Sequence, residues 1–384
     1  MNLFNKIFFH LNKNLNQVIS FNWKELALTI KNSKYLNNLD VPNKSVLIIE
    51  PNEFHAEILP GYCYYWNQLG YKVYLVVRHK NLLSGVFSRY NENEKPQLIC
   101  MGHYGLKYFV KKNIIKSFDY TFITSTRLSN KYGFYGLFSD YLGYLPEGRK
   151  GYFLVEHNLE SLKPYLESQK YDANKIFLLN AYNEDDFTIP MLNPNYFGKV
   201  KTPKKDKETV FITIGTVTER NRNFKELLEA IETLKTEKIL NFKIYVIGRV
   251  DKGVEISKLP KEIIFLGYLS FTEMYIKLEE AHYFLPLLDP EIKGHQRYLK
   301  GETTGSWQLC QGFIKPPIIR KEFSETYLFS NKNAILYEKN GLDSALIQAC
   351  KLSVDKYSSL LEEMEALRDK TRTSSIRNLK NKIN

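Results

Sequence analysis

The stretch VFITIGTVTERNRNFKELLEAIETL, residues 210–234, decides how the chain is read. β-Branched and aromatic residues run up to Gly215, and a polar turn carrying Arg220 and Arg222 follows. Then Phe224, Leu227, Leu228, Ile231 and Leu234 recur at helical spacing. This is strand, turn, helix, with two guanidiniums in the turn.

The alternation continues on both sides. Downstream, strands are expected near 242–248, 263–267, 283–288, 317–320 and 334–337, with helices near 224–235, 272–280, 305–313 and 342–352. Upstream, strands are expected near 46–50, 72–77, 97–101, 120–124, 152–157 and 176–180, with helices near 56–69 and 106–115. Strands that alternate with helices build parallel sheets covered on both faces. Two such series predict an α/β protein of two doubly wound domains, residues 1–197 and 209–355. The charged, apolar-poor GKVKTPKKDKE (198–208) joins them. Residues 356–384 read as a long helix and a basic tail, either a frayed terminus or an element packing back on the first domain. The halves repeat in pattern only.

A chain of 384 residues exceeds one ordinary core, and 43% hydrophobic with 25% charged residues marks it as globular. No apolar run approaches the ~20 residues that span a bilayer. The apolar patch at 7–9 is broken by His10 and Asn12 and has no small-residue cleavage site, so no secretory signal is expected. Phe4, Ile7, Phe8 and Leu11 share a helical face, which suits an added helix on the first domain or one lying on a membrane. Cys63, Cys100, Cys310 and Cys350 fit no paired spacing and read as reduced residues of a cytoplasmic protein. The net charge of +12 implies an anionic partner or surface, or a solvated lysine-rich exterior. Its dispersal, without any nucleic-acid-binding motif, argues against nucleic acid.

Ligands of open parallel sheets bind beyond the carboxyl ends of the strands. In the first half these ends carry Glu53, His55, Glu57, His103, Ser125 to Arg127, His157 and Asn158; in the second, Thr216 to Arg222, Arg249, Gly267 with Tyr268, Asp289 and the block 295–306. Facing each other, the two sets would line a cleft with a donor on one side and an acceptor on the other. The richest block is GHQRYLKGETTGSWQLCQGFIKPPII, residues 294–319. There Thr303, Thr304, Gly305 and Ser306 precede an apolar helix, as an N-cap or as a phosphate seat, with Arg297 and Lys300 adding charge. No Asp-x-Asp pair stands at a strand end, so no dedicated metal is implied; Asp185 and Asp186 read as a solvated turn. Tyr62, Tyr64, Tyr65 and Trp66 suit a packed helix face or sugar stacking, and Trp307 a nucleobase or the sheet.

Residues 210–352 resemble the donor domain of GT-B-fold nucleotide-sugar glycosyltransferases of the glycogen-synthase-like and sucrose-synthase-like branch. ITIGTVTERNRNFKELLEAI is similar to the family's opening strand, glycine turn and basic residues. YVIGRV and IIFLGYLSFTEMYIKLEEAHYFLPL resemble the next steps, and ETTGSWQLCQGFIKPPII the family's Glu-x-x-Gly helix with its following Pro-aliphatic strand. The first half matches in architecture alone. The resemblance implies two Rossmann-like domains facing across a cleft and transfer of a sugar from a UDP-sugar, without a metal, to a glycan, glycolipid or glycoprotein acceptor. Bacterial surface-glycan assembly, in the cytoplasm or at the inner face of the plasma membrane, is the expected setting. Donor binding would fall to Gly215, Thr216, Arg220, Arg222, Gly248, Arg249, Tyr268, Arg297, Lys300, Glu302, Thr303, Thr304, Gly305 and Ser306. Catalytic contacts would fall to His157, His55 and Glu53, with Glu57 and His103 as further base candidates. Two departures stand out. Cys310 replaces the second glutamate, the usual ribose ligand, leaving that contact to Glu273 or Ser306, and Lys315 replaces a glycine. An epimerase of the same fold and a non-catalytic GT-B-like partner protein are the alternatives.

Overall fold

The computed structural model describes residues 30–32, 34–35, 38–50, 55–78, 85–101, 113–126, 147–157, 162, 172–180, 182–184, 187–206, 208–218, 221–249, 258–303 and 305–384. Strands β1 (Ser45–Ile49), β2 (Lys72–Arg78), β3 (Gln97–Met101), β4 (Tyr120–Thr126), β5 (Gly151–Glu156) and β6 (Ile176–Leu178) form a parallel sheet in the order β3-β2-β1-β4-β5-β6. β1 is buried at every position, as its unbroken apolar sequence requires of a strand covered on both faces. A short antiparallel hairpin, β7 (Tyr182–Glu184) with β8 (Phe187–Ile189), follows.

In the second half, β9 (Thr209–Ile214), β10 (Phe242–Ile247), β11 (Ile263–Gly267) and β12 (Tyr283–Phe284) run in the order β11-β10-β9-β12. β13 (Ile318–Arg320) pairs with β14 (Ile335–Tyr337), and a Phe284–Pro317 bridge ties that pair to β12. The strand order of the first half thus recurs. The strand expected over 283–288 is cut to two residues, and Leu287 at φ 50 turns the chain out of the extended region.

Helices bounded within the described residues are α1 (Leu59–Gln68), α2 (Phe224–Thr236), α3 (Phe271–Glu280), α4 (Gln296–Leu299), α5 (Gly305–Gly312), α6 (Leu342–Lys351) and α7 (Val354–Ile383). α2 begins where the Asn223 side chain accepts from the Glu226 amide at 3.2 Å. Its Phe224, Leu227, Ile231 and Leu234 pack beside Phe211 and Ile244 of the sheet. The helix expected over 56–69 is divided into a 3-10 turn, Ala56–Ile58, and α1, which has a proline in its first turn. Of the helix expected over 106–115, residues 106–112 lie outside the described residues, as does the amphipathic N-terminal stretch. Tyr62, Tyr65 and Trp66 are fully buried in the first core, so packing accounts for them. Among the described residues no helix is long and apolar enough to cross a membrane.

α7 stays helical to Ile383 and is docked on both halves of the chain. Met364 and Leu367 enter the core of the second half, and Leu379 that of the first. Asn378 donates to the Met191 carbonyl at 2.9 Å, and Lys382 to the carbonyls of Ala173 and Ile176 at 3.0 and 2.8 Å. Residues 85–90 close the other side of the seam: Arg89 pairs with Glu279 of α3 at 2.7 Å, and the Tyr275 hydroxyl donates to the Val86 carbonyl at 3.1 Å.

Lys315, at the glycine position of the resemblance, is wholly buried, and its Nζ has no hydrogen-bond partner. Burial pushes its ammonium down to about 7, against the pull of Glu279. An unfolded lysine titrates near ~10.4, so between these values the unfolded chain binds a proton that the folded chain does not. Stability therefore rises with pH across that interval. Lys315→Met is expected to stabilise the protein at pH 7 by roughly 2–4 kcal/mol and to flatten this dependence. Urea unfolding at pH 7 and pH 9 measures both; an unaltered slope would refute the assignment.

Candidate functional site

Three glycines end three adjacent strands of the second sheet: Gly215 (φ 130) after β9, Gly248 (φ 139) after β10 and Gly267 (φ 65) closing β11. The Gly215 amide donates to the Ile247 carbonyl, and the Gly248 amide to the Gly267 carbonyl, both at 2.9 Å. A β-carbon on Gly248 would lie 2.2 Å from the Gly215 carbonyl oxygen, and one on Gly215 would lie 2.8 Å from a guanidinium nitrogen of Arg222. The ends of β9 and β10 thus meet more closely than side chains would permit, and with Gly267 they leave a floor of bare backbone. Thr216 is half-buried, whereas Arg249 is exposed and Tyr268 is 80% exposed.

Arg222 is only 6% exposed. It donates to the Ile214 carbonyl at 2.8 Å and the Asn221 carbonyl at 2.7 Å, so it braces the turn from inside. Burial pushes its guanidinium down, partly opposed by the electrostatic influence of Tyr298. Arg297 donates to the same Tyr298 hydroxyl at 2.7 Å, lies over its ring at 4.7 Å and pairs with Glu302 at 3.2 Å. Arg297 lies on the exposed side of Tyr298. Lys300 is exposed, and Thr303 accepts from Gln308 at 3.1 Å. Gly305 opens α5, and Ser306 is buried. Arg220, Thr304 and Glu53 lie outside the described residues, as do His103 and Arg127.

Beneath the turn, Asn223 donates to Asp289 at 2.9 Å and Arg320 pairs with Asp289 at 3.6 Å and Glu322 at 2.5 Å. Burial, then the Asp289 charge, push the Glu226 carboxyl up to about 7. Cys310 is fully buried and its thiol donates to the Lys315 carbonyl at 3.0 Å, so it faces backbone. Glu273 is engaged in the capping box of α3 with Ser270.

At the mouth of the first sheet, His55 holds a left-handed conformation (φ 70), uncommon for a non-glycine residue. Its ring meets that of His157 edge to face at 5.0 Å. His157 Nε2 lies 2.9 Å from the Thr124 carbonyl, which assigns the proton to that nitrogen. Glu50 is buried and accepts from Thr124 at 2.6 Å and Ser125 at 2.8 Å, and Glu156 accepts from the His157 amide at 2.8 Å. His55 Nδ1 lies 3.4 Å from Glu57 Oε1. Burial pushes the Glu57 carboxyl up, but the hydrogen bond and charge of His55 outweigh it and bring the group below the ordinary carboxylate value.

The two mouths touch. A β-carbon on Gly305 would fall 2.1 Å from Glu57 Oε1, so the carboxylate of the first half rests against the opening residue of α5. Asn180 also reaches across, donating to the Gly301 carbonyl at 3.1 Å. The sequence placed His55, His157, Arg297, Glu302 and Gly305 at strand ends. Tyr298 and Asn180 escaped it, although Tyr298 lies in the block it singled out. Among the described residues no cluster of three or more His, Cys, Asp or Glu is arranged to hold a metal.

No protein-family model matches the sequence, and no curated protein matches it. Among solved structures, Anabaena HepE in complex with UDP-glucose aligns with a TM-score of 0.52 and 11% identity, over 88% of this chain and 98% of that one. A putative UDP-N-acetylglucosamine 2-epimerase from Listeria monocytogenes aligns at 0.49 and 11% identity, over 84% and 91%. An α-glucosyltransferase in complex with UDP and DNA aligns at 0.49 and 15% identity, over 88% and 95%. Together with the repeated strand order, the HepE alignment identifies the fold as GT-B; at such identity the likeness is one of fold.

The glycine floor can be tested directly. Gly248→Ala drives a β-carbon into a backbone oxygen at a φ that L-residues avoid, and it is expected to destabilise the protein by about 2–4 kcal/mol. An unfolding midpoint equal to the parent's would show that the strand ends are not packed this way.

Proposed function

We propose that the chain is a metal-independent glycosyltransferase that moves a sugar from a nucleoside-diphosphate sugar, a UDP-sugar, to a hydroxyl of a glycan, glycolipid or glycoprotein. The observation that carries this reading is the meeting of the His55–Glu57 pair with the amino end of α5 at Gly305. It brings a proton acceptor and an anion-attracting helix end into one cleft. That HepE shares the fold and was solved with UDP-glucose supports a uridine diphosphate donor.

Breaking the sugar–phosphate bond leaves negative charge on the departing diphosphate, which must be stabilised where it forms. The amino end of α5, with Arg297 and Lys300 beside it, does this; an arginine can engage phosphate through two parallel hydrogen bonds. Arg222 and Tyr298 hold the turn and Arg297 in place. The nucleotide rests on the glycine floor, with Tyr268 and Arg249 beside the base and ribose. His55, oriented by Glu57, takes the acceptor proton, and His157, fixed through Thr124 and Glu156, lines the acceptor side. Surface-glycan assembly at the inner face of a membrane, in the cytoplasm, fits the +12 net charge, which favours an anionic acceptor or surface.

Calorimetric titration with UDP, GDP, TDP and CMP is expected to show binding of UDP; no binding of any of the four would end the proposal. Arg297→Ala should weaken UDP binding by about 1.5–3 kcal/mol, the scale of a charged hydrogen bond, while the thermal midpoint stays near the parent's. His55→Ala should retain UDP and lose transfer by roughly 10²–10⁴-fold, the range for a general base. Transfer at the parental rate would remove His55 from that role.

A further inference from the structure

We infer that Glu57 is an internal competitor for the donor phosphate: its carboxylate lies against Gly305, the first residue of α5, and a diphosphate arriving at that helix end displaces it toward His55. The inference rests on the reading that the donor's diphosphate takes that helix end.

Three observations meet at this point. α5 (GSWQLCQG) has no acidic residue of its own, and a carboxylate from the other half of the chain lies against its first residue. Position 305 has no room for a β-carbon, since the Glu57 oxygen occupies that space; only glycine admits the carboxylate. Glu57 is carried on the turn Ala56–Ile58, whose preceding residue, His55, adopts the left-handed conformation that directs the turn into the cleft. The same Glu57 oxygen lies 3.4 Å from His55 Nδ1, so a second partner stands ready when the first is lost.

A carboxylate and a diphosphate repel each other at one helix end, so the two states exclude each other. Without donor, Glu57 bridges the halves at Gly305. With donor, the carboxylate keeps only the contact with His55 that it already makes. Donor affinity is therefore lower than the phosphate site alone would give.

The test uses the full-length protein titrated with inorganic pyrophosphate, which lacks any base or sugar, and with UDP. Glu57→Gln keeps the shape and removes the charge; Glu57→Asp keeps the charge and shortens the reach. Both are expected to bind each probe about fivefold or more tightly than the parent. Equal or weaker binding in the variants, with the parent still binding, overturns the competitor role and leaves the donor site standing. Failure of every protein to bind either probe overturns both.

Discussion

The arrangement of the two sheets depends on one buried amide. Asn195 has no exposure to solvent, and its side chain joins three elements: it accepts from the Tyr65 hydroxyl of α1 at 3.2 Å and donates to Gln311 of α5 at 3.4 Å and to the Arg368 carbonyl of α7 at 3.1 Å. A buried amide left unpaired costs about 1–3 kcal/mol, so these partners cannot drift apart independently. Around it Phe197 packs so closely on α5 that a β-carbon at Gly312 would lie 2.3 Å from its ring. α7 then runs from the second half onto the first, and the Arg89–Glu279 pair closes the far side. The carboxyl ends of the two sheets are set face to face by this seam.

That opposition gives the polar residues their chemistry. A glycine floor, an amino end of a helix and an exposed arginine suit an anion of extended shape. Across the gap stand two histidines and a carboxylate. Each side is ordinary taken alone: a histidine bonded to a carbonyl, an acid near the start of a helix, a threonine bonded to a glutamine. What distinguishes the site is that Glu57 and Gly305, 248 positions apart in sequence (305 minus 57), share the same few ångströms. Arg222 makes the complementary point. Its position in the turn suggested direct contact with phosphate, but a guanidinium bonded to the carbonyls of residues 214 and 221 acts first on the backbone that carries the floor.

Much of the fold was legible in the sequence. The strands from β1 to β6 and from β9 to β11 fall within one or two residues of their expected positions: central strands such as β1, buried on both faces, must be continuous apolar runs, and the half-exposed edge strand β11 keeps an apolar run as well. α2, α3 and α6 were legible for the same kind of reason, the recurrence of apolar residues every three to four positions. β12 was not, since a left-handed Leu287 leaves no compositional mark. The docking of α7 was one of two open readings, because its polar surface suits a solvated tail as well as it suits the carbonyls of the first half that its lysine and asparagine meet.

By itself, then, the sequence determined the elements, the parallel pairing they require and the families of residue at the strand ends, because these follow from periodicity and local chemistry. The tertiary structure decided which of those ends meet. It buried the thiol of Cys310 against a carbonyl, turned Arg222 inward, stranded the amine of Lys315 without a partner and seated Glu57 at the opening of α5. The reason is physical: proximity between distant residues is fixed by packing and by the pairing of buried polar groups, and neither is written in the spacing of a linear chain.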